Sequence, residues 1–321
     1  MSNVLVFFDE LGEALSSAQK ELIAQAGALG EVHIAVGAYT GDPTPALAID
    51  GVQEVYLPEE SLPAPEVAVV DLLETSVTES RAVVVLGSAT ADVTDALARL
   101  AVRLDTGLIC GAAGISADLV VTKGELAGSY TTTSQLISAT APAAPLVVTF
   151  KPNNIDPQRV QTLVTRGEQP EVNVLPVRPS VGGVEILERT AMEVSARPPL
   201  TEARIVVAGG RGTDGDFTPL EELADELGAG LGASRAATDA GWIEHAAQVG
   251  QTGVTVSPQL YISAGISGAV HQRAGMQTAG TIVAINKDED AQVFEIADFG
   301  VVGDLHEVIP QMIEELRRRK R

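Results

Sequence analysis

The sequence predicts an α/β protein made of two Rossmann-like domains, each built around a parallel sheet. Three observations point there. Short apolar runs alternate with longer stretches of helical periodicity along the whole chain. The apolar runs lack the every-second-residue alternation of a sheet with one wet face, so their strands are covered on both sides, as in parallel α/β sheets. The 321 residues also exceed what one core usually fills, which favours two domains.

In the first half, residues 4–8 (Val-Leu-Val-Phe-Phe) read as a buried strand. Residues 16–29 carry Leu22, Ile23, Ala26 and Leu29 at helical spacing. Residues 32–36 and 82–86 are further strands. Val93, Leu97, Leu100, Ala101 and Leu104 then line one face of a helix, and residues 119–121 and 146–150 complete the strand set. Ala196-Arg197-Pro198-Pro199-Leu200-Thr201 breaks the pattern, because adjacent prolines suit neither a helix interior nor a central strand. The expected domains are therefore 1–197 and 198–321. In the second, residues 204–208 form a strand. Residues 218–227 form a helix with Thr218 as cap, Pro219 at the first helical position and Glu221 closing a capping box. Strands follow at 260–264, 281–285 and 293–296, and a closing helix at 305–318.

Composition excludes several classes. A net charge of −22 repels nucleic-acid phosphates and anionic membranes, so neither is an expected partner. Aromatics at 3% leave few rings for stacking on bases. No apolar run reaches the ~18 residues of a membrane span. The strand beginning at Val4 leaves no room for a signal or transit peptide. Cys110 stands alone, which rules out a disulfide within the chain and suits a reducing compartment; the expected location is a bacterial cytoplasm. Its setting, Gly107-Leu108-Ile109-Cys110-Gly111, offers no basic neighbour, so it reads as a packed small residue and not a nucleophile. The basic end Arg317-Arg318-Arg319-Lys320-Arg321 either complements the dipole of the closing helix or serves as a docking tail.

Between Gly209 and Ala269 lie four small, polar turns: Gly209-Gly210-Arg211-Gly212, Gly232-Ala233-Ser234-Arg235, Gln248-Val249-Gly250-Gln251-Thr252-Gly253 and Gly265-Ile266-Ser267-Gly268-Ala269. Each sits near the end of a strand or helix, where small residues let the backbone approach a ligand. Four of them suit a large, phosphate-bearing dinucleotide held at several points. Gly210-x-Gly212-x-x-Gly215 matches the nicotinamide-dinucleotide fingerprint in outline. Against it, Asp214 and Asp216 would crowd a pyrophosphate, the helix starts after the glycines, and the acidic ribose ligand expected about 20 residues on is not clear. There is no Gly-x-Ser-x-Gly elbow, no phosphate loop ending in Gly-Lys-Ser/Thr, and the four histidines are scattered, so hydrolysis and metal chemistry lack support and no metal site is expected. Arg211 and Arg235 among hydrogen-bonding side chains suit a redox ring, since a guanidinium stabilises negative charge at the N1–C2=O edge of a reduced flavin. Arg235 equally suits an ion pair with Asp239, four residues on.

At these residues the chain resembles the alpha subunit of electron transfer flavoprotein. The matching stretches are the four turns, Gly232 through Gly241, Ala274-Gly275-Met276, Thr281-Ile282-Val283-Ala284-Ile285-Asn286-Lys287-Asp288 and Gly303-Asp304-Leu305. They cover the second domain; the first resembles the family mainly in layout. The resemblance implies FAD across the second domain, lined by Arg211, Ser234, Val249, Gly250, Gln251, Thr252, Ser267, Gly268, Ala269, Val270, His271, Gln272, Asn286, Asp304 and Leu305, with Arg235 near the isoalloxazine ring. Thr252 would offer its hydroxyl to flavin N5. Ser267, Gly268 and Ala269 would present N–H groups to the pyrophosphate, and Asn286 and Asp304 would serve the adenosine end, though Asp304 also suits a plain helix cap. The family reads Gln-His where this chain has His271-Gln272. Gln272 thus holds the place of a histidine that donates toward the flavin C2 carbonyl, and Arg235, Thr252, Gln272 and His271 are the expected redox-tuning set.

The resemblance further implies a heterodimer with a beta subunit, through contacts of the first domain. It leaves open a second nucleotide, AMP or FAD, in that partner. The expected work is electron carriage, not substrate conversion. FAD would take electrons from dehydrogenases, such as those acting on acyl-CoA in fatty acid β-oxidation, and pass them singly to a quinone oxidoreductase or another acceptor. The rival readings are an NAD-dependent oxidoreductase using the Gly210 cluster and a non-catalytic, nucleotide-binding regulatory subunit.

Overall fold

The computed structural model describes residues 2–62, 67–126, 128–137, 144–155, 157–165, 169–177, 187–188 and 196–320. The chain forms two compact units, Met1–Gly124 with Thr131–Thr190, and Glu125–Tyr130 with Ala191–Arg321.

The first unit contains β1 (Ser2–Leu11), α1 (Ser17–Gly27), β2 (Gly30–Tyr39), α2 (Thr44–Leu47), β3 (Val52–Pro58), α3 (Val67–Ser80), β4 (Val84–Ser88), α4 (Ala91–Arg103), β5 (Leu108–Ala112), β6 (Gly114–Ile115), β7 (Val121–Glu125), β8 (Tyr130–Ser134), β9 (Leu146–Phe150), α5 (Pro157–Gln161) and β10 (Glu171–Leu175). Its main sheet has the order β10-β3-β2-β1-β4-β9-β5, parallel throughout. The uninterrupted apolar run of β1 has a direct cause. Val4, Val6 and Phe8 pack on one face with Leu22, Ile23 and Ala26 of α1. Leu5 and Phe7 pack on the other with Val69 and Leu73 of α3 and Leu97 and Leu100 of α4. A capping box starts α1: Gln19 N–H donates to Ser16 Oγ, and Ser16 N–H donates to Gln19 Oε1.

The second unit contains β11 (Ile205–Gly209), α6 (Thr218–Leu227), β12 (Gly230–Ala233), α7 (Arg235–Asp239), β13 (Leu260–Ala264), α8 (Val270–Met276), β14 (Thr281–Asn286), β15 (Phe299–Val302) and α9 (Leu305–Arg319). Its sheet, β12-β11-β13-β14-β15, is also fully parallel. Val207, Ile262 and Ile285 face Leu220 and Leu223 of α6 and Ile309 and Ile313 of α9. Val206, Ala208, Tyr261 and Ile282 face the opposite way, onto Val249, Val256, Ile266 and Met276.

Four expectations are corrected. Residues 293–296 are not a strand; Gln292–Glu295 is a 3₁₀ turn, and the edge strand is β15, whose residues are all exposed and so carry no buried pattern. Thr218 is the first helical residue, not the cap. Phe217 occupies the cap position and Asp216 Oδ1 accepts the Thr218 N–H at 3.0 Å, so no capping box forms with Glu221. The strand expected at 119–121 begins only at Val121, because Leu119 turns through φ 58°. Cys110 is exposed, not packed. The basic end lies on α9, where Arg317 pairs with Glu222 and Glu226, Lys320 with Glu226, and Arg318 and Arg319 with Glu315. Arg321 lies outside the described residues. Among those residues no helix is long and apolar enough to cross a membrane.

Candidate functional site

Parallel strands put all their carboxyl ends along one edge. In the order β12-β11-β13-β14-β15 the chain leaves β11 toward one side, then crosses to β13 on the other, so a crevice opens at that switch point. The residues leaving each strand meet there. Gly210, Arg211 and Gly212 follow β11; Ser234 and Arg235 follow β12; Gly265, Ile266 and Ser267 follow β13; Asn286 ends β14; Gly303 and Asp304 follow β15.

They frame a cleft of about 590 Å³ lined by Arg211, Ser234, Arg235, Ser267, Ala269, His271, Gln272 and Asn286 of the expected set. A smaller cavity of about 40 Å³ shares Gly212, Asp214, Gly265, Asn286 and Lys287 with it and adds Asp304 and Leu305. Val249, Gly250, Gln251, Thr252, Gly268 and Val270 line neither cavity. Val249 is buried in the core under the sheet. Gly250 (φ 154°) touches backbone at Gly275, and Gly268 (φ 81°) has no room for a Cβ beside Val293 N. Sequence reasoning did not assign Asp214, Ile266, Asp288 and Ala291 to the lining. Their signal was position: each lies within a few residues of a strand's carboxyl end.

The hydrogen bonds show what each group has left to offer. Arg235 Nε donates to Asp239 Oδ2 at 3.1 Å, so the ion pair forms; both partners are exposed and both line the cleft. Ser234 occupies the cap position of α7, yet its hydroxyl caps nothing. It is 8% exposed and its Oγ has no partner. The Asn286 side chain ties two loops together, donating to Ile266 O at 2.9 Å and accepting from Asp288 N at 3.1 Å. Asp304 caps α9 through His306 N–H at 2.8 Å, which leaves its second oxygen available. Gln272 Nε2 donates to Tyr261 OH at 3.4 Å, and burial pushes that phenol's pKa upward. His271 Nδ1 lies 2.8 Å from Gln251 Oε1.

The glycine fingerprint dissolves at this level. Gly210 N–H donates to Ala264 O at 3.0 Å and Gly212 N–H to Gly265 O at 2.9 Å, so neither is free for a phosphate. A Cβ at Gly210 would stand 2.5 Å from Gly265 O. These glycines let two loops touch backbone to backbone. Gly215 turns at φ 91° against Trp242.

The cleft fits a large dinucleotide with a redox ring. It is lined from several strand ends, it presents two guanidinium groups, and it holds a buried hydroxyl, Ser234 Oγ, with an unmet hydrogen bond that a polar ligand atom would satisfy. Among the described residues no cluster of His, Cys, Asp and Glu could hold a metal.

Comparisons with known proteins agree. Residues 199–277 match the family model of the electron transfer flavoprotein FAD-binding domain, and residues 4–180 match that of the electron transfer flavoprotein domain. The chain is 40% identical over 327 residues to the electron transfer flavoprotein subunit alpha of Mycobacterium leprae, covering all of both chains. It is 41% identical over 332 residues to that of Mycobacterium tuberculosis, again over all of both. With the subunit of Thermoanaerobacterium thermosaccharolyticum it shares 58% identity over 123 residues, which is 38% of this chain and 37% of that one. The crevice at the strand ends is thus part of an FAD-binding domain, and the chain belongs to the electron transfer flavoprotein alpha subunits.

Proposed function

We propose that the cleft at the carboxyl ends of β11 to β15 holds the FAD, and that the chain carries electrons as one half of a heterodimer with a beta subunit. The observation that carries this reading is the convergence of Arg211, Ser234, Arg235, Ser267, His271, Gln272 and Asn286 on one cleft at the switch point. FAD, when bound, supplies reversible uptake of electrons; the side chains set its hold and its potential. Arg235 would lie by the ring and favour added negative charge. Ser234 would use its unmet hydroxyl on the cofactor. The turn from Val249 to Thr252 would present Thr252 to N5. Ser267, Gly268 and Ala269 would present N–H groups to the pyrophosphate, with Val270 beside them. Asn286, Asp304 and Leu305 would surround the adenosine end, where the smaller cavity lies.

The division at 197–198 separates, in this reading, a first domain that meets the beta subunit from a second that holds the cofactor. Donors would be dehydrogenases such as those acting on acyl-CoA, and the acceptor a quinone oxidoreductase, in a bacterial cytoplasm. The acidic surface supports brief, salt-sensitive docking to basic patches. Co-expression with a beta-type subunit, followed by cofactor extraction and counting, tests the core of it. A yellow heterodimer in which Arg211→Ala and Asn286→Ala weaken FAD binding supports the reading. Full FAD occupancy and affinity in both variants would place the cofactor elsewhere. Reduction of the heterodimer by an acyl-CoA dehydrogenase with its substrate tests the donor class.

A further inference from the structure

The polar side chains Thr238, Gln248 and Thr252 of the second unit form one chain of contacts. Thr238, on α7, is 2% exposed, and Gln248 is 7% exposed. Thr238 Oγ1 lies 3.1 Å from Gln248 Oε1, and Gln248 Nε2 lies 3.0 Å from Thr252 Oγ1. Thr252 itself is exposed. Its turn is pinned from two sides. Gln248 ties it to α7, which supplies Arg235 and Asp239 to the cleft. Gln251 N–H donates to His271 O at 2.8 Å and so ties it to α8, which supplies His271 and Gln272.

We propose that Gln248, anchored by Thr238, is a positioning residue that fixes the Thr252 hydroxyl as an outward donor to the flavin. This rests on the reading above, in which Thr252 meets the ring at N5. A hydroxyl has one proton and two lone pairs, and an amide has a donor end and an acceptor end. The orientation of the amide follows from burial. Its nitrogen carries two N–H groups. Turned toward exposed Thr252, the second N–H lies on the solvent side; turned toward buried Thr238, it would be enclosed, which is costly for a donor left unpaired. The nitrogen therefore faces Thr252 and fills one lone pair of Oγ1. Among the described residues no hydrogen bond takes the hydroxyl proton, which leaves it for a ligand. The carbonyl end is held by Thr238, whose proton it shares with Arg235 O at 3.0 Å.

The experiment uses the intact heterodimer reconstituted with FAD labelled with ¹⁵N at N5, whose chemical shift reports the hydrogen bond directly. Thr252→Val, Gln248→Met and the pair together are compared with the parent for N5 shift, the first one-electron potential and FAD content. The expected result is one FAD per heterodimer throughout, the same displaced N5 shift in both single variants, and no further displacement in the double variant, since the two residues act in series. Thr238→Val gives a second route to loosening Gln248 if Gln248→Met does not fold, and is expected to displace N5 in the same direction. A parent-like N5 shift in Gln248→Met or Thr238→Val, with Thr252→Val displaced, overturns the inference and leaves the FAD site standing. A parent-like shift in Thr252→Val, with FAD bound, removes Thr252 from N5 and overturns both the inference and the placement of the ring.

Discussion

Replacing Gly212 with alanine separates two explanations for the glycines around the cleft. A Cβ at Gly212 would stand 2.7 Å from Gly265 Cα and 3.2 Å from Gly265 O. Both are backbone atoms, so no side chain can swing aside. The φ of Gly212 is not in the left-handed range, so the penalty is steric alone. The loops after β11 and β13 must part by several tenths of an ångström, which weakens the Gly212 N–H to Gly265 O bond of 2.9 Å. Overpacking of about 1–3 kcal/mol and a weakened hydrogen bond of about 1 kcal/mol give an expected destabilisation of roughly 2–4 kcal/mol. The assay is denaturant unfolding of the FAD-stripped and FAD-loaded heterodimer, with Gly12→Ala as control, since a Cβ there meets nothing within 4 Å. The loss should already be complete without FAD. If Gly212→Ala lowers only FAD affinity and leaves the stripped protein within about 0.5 kcal/mol of the parent, the glycine makes room for ligand and not for Gly265.

Four further outcomes follow from the same structure. Ser263 is 1% exposed and its Oγ has no partner, so Ser263→Ala should stabilise the protein by about 1 kcal/mol in thermal or denaturant unfolding; a clear loss would mean the hydroxyl is bonded. Burial, together with the charge of Asp92 and Glu10, raises the pKa of Asp9. A raised folded pKa means a penalty absent below the unfolded value of about 3.9 and complete above the folded one, so Asp9→Asn should stabilise at pH 7 and lose that advantage in acid. Arg197 donates to both oxygens of Asp225, at 2.6 and 3.0 Å, and lowers that carboxyl's pKa; its contribution is present above the unfolded pKa and fades as pH falls through the folded one. Arg197→Ala should change global stability by no more than about 1 kcal/mol yet speed proteolysis at the Pro198-Pro199 stretch. Exchanging His271→Gln with Gln272→His should raise the one-electron potentials, because an imidazole can become cationic and an amide cannot; unchanged potentials would count against a direct role for position 272.

The readable parts of this chain were those where one physical cause dominates. β1, β9 and β13 were plain because both faces of each strand are buried, leaving an unbroken apolar run. β15 was missed for the opposite reason: Phe299, Val301 and Val302 are exposed at the sheet edge, so nothing in their pattern marks a strand. The 3₁₀ turn at Gln292–Glu295 imitates a strand because Val293 is buried for its packing with Ala284 and Ala291. At the cleft, residue type and strand-end position marked Arg211 and Arg235, whereas Ser234 and Asn286 came only from the family resemblance. The tie between Gln248 and Thr238 was invisible, since it joins a helix to a turn ten residues on and depends on both being buried. The glycines misled in one respect: small residues at strand ends invite a ligand reading, whereas Gly210 and Gly212 serve backbone contact with the loop at Gly265.

The first unit shows why the strand-end rule needs side-chain chemistry beside it. Its sheet also changes direction, between β1 and β4, and by topology alone a ligand crevice belongs there too. The residues at that edge differ. Asp9 and Glu10 stand near the end of β1, Asp92 opens α4, and the pKa of Asp9 rises partly because these carboxylates face one another. A cavity at the ends of β4 and β9, lined by Glu21, Ser88, Phe150 and Lys151, measures about 10 Å³, little more than one water needs. The second unit meets the same topological opportunity with two arginines, an unsatisfied serine and an open cleft. Among the described residues, carboxylates gather at the first switch point and disfavour an anionic dinucleotide, while at the second Arg211, Arg235 and Lys287 balance Asp214, Asp239 and Asp288. The same topology occurs twice, and the side chains at the strand ends, not the strand order, distinguish the unit that matches the FAD-binding domain.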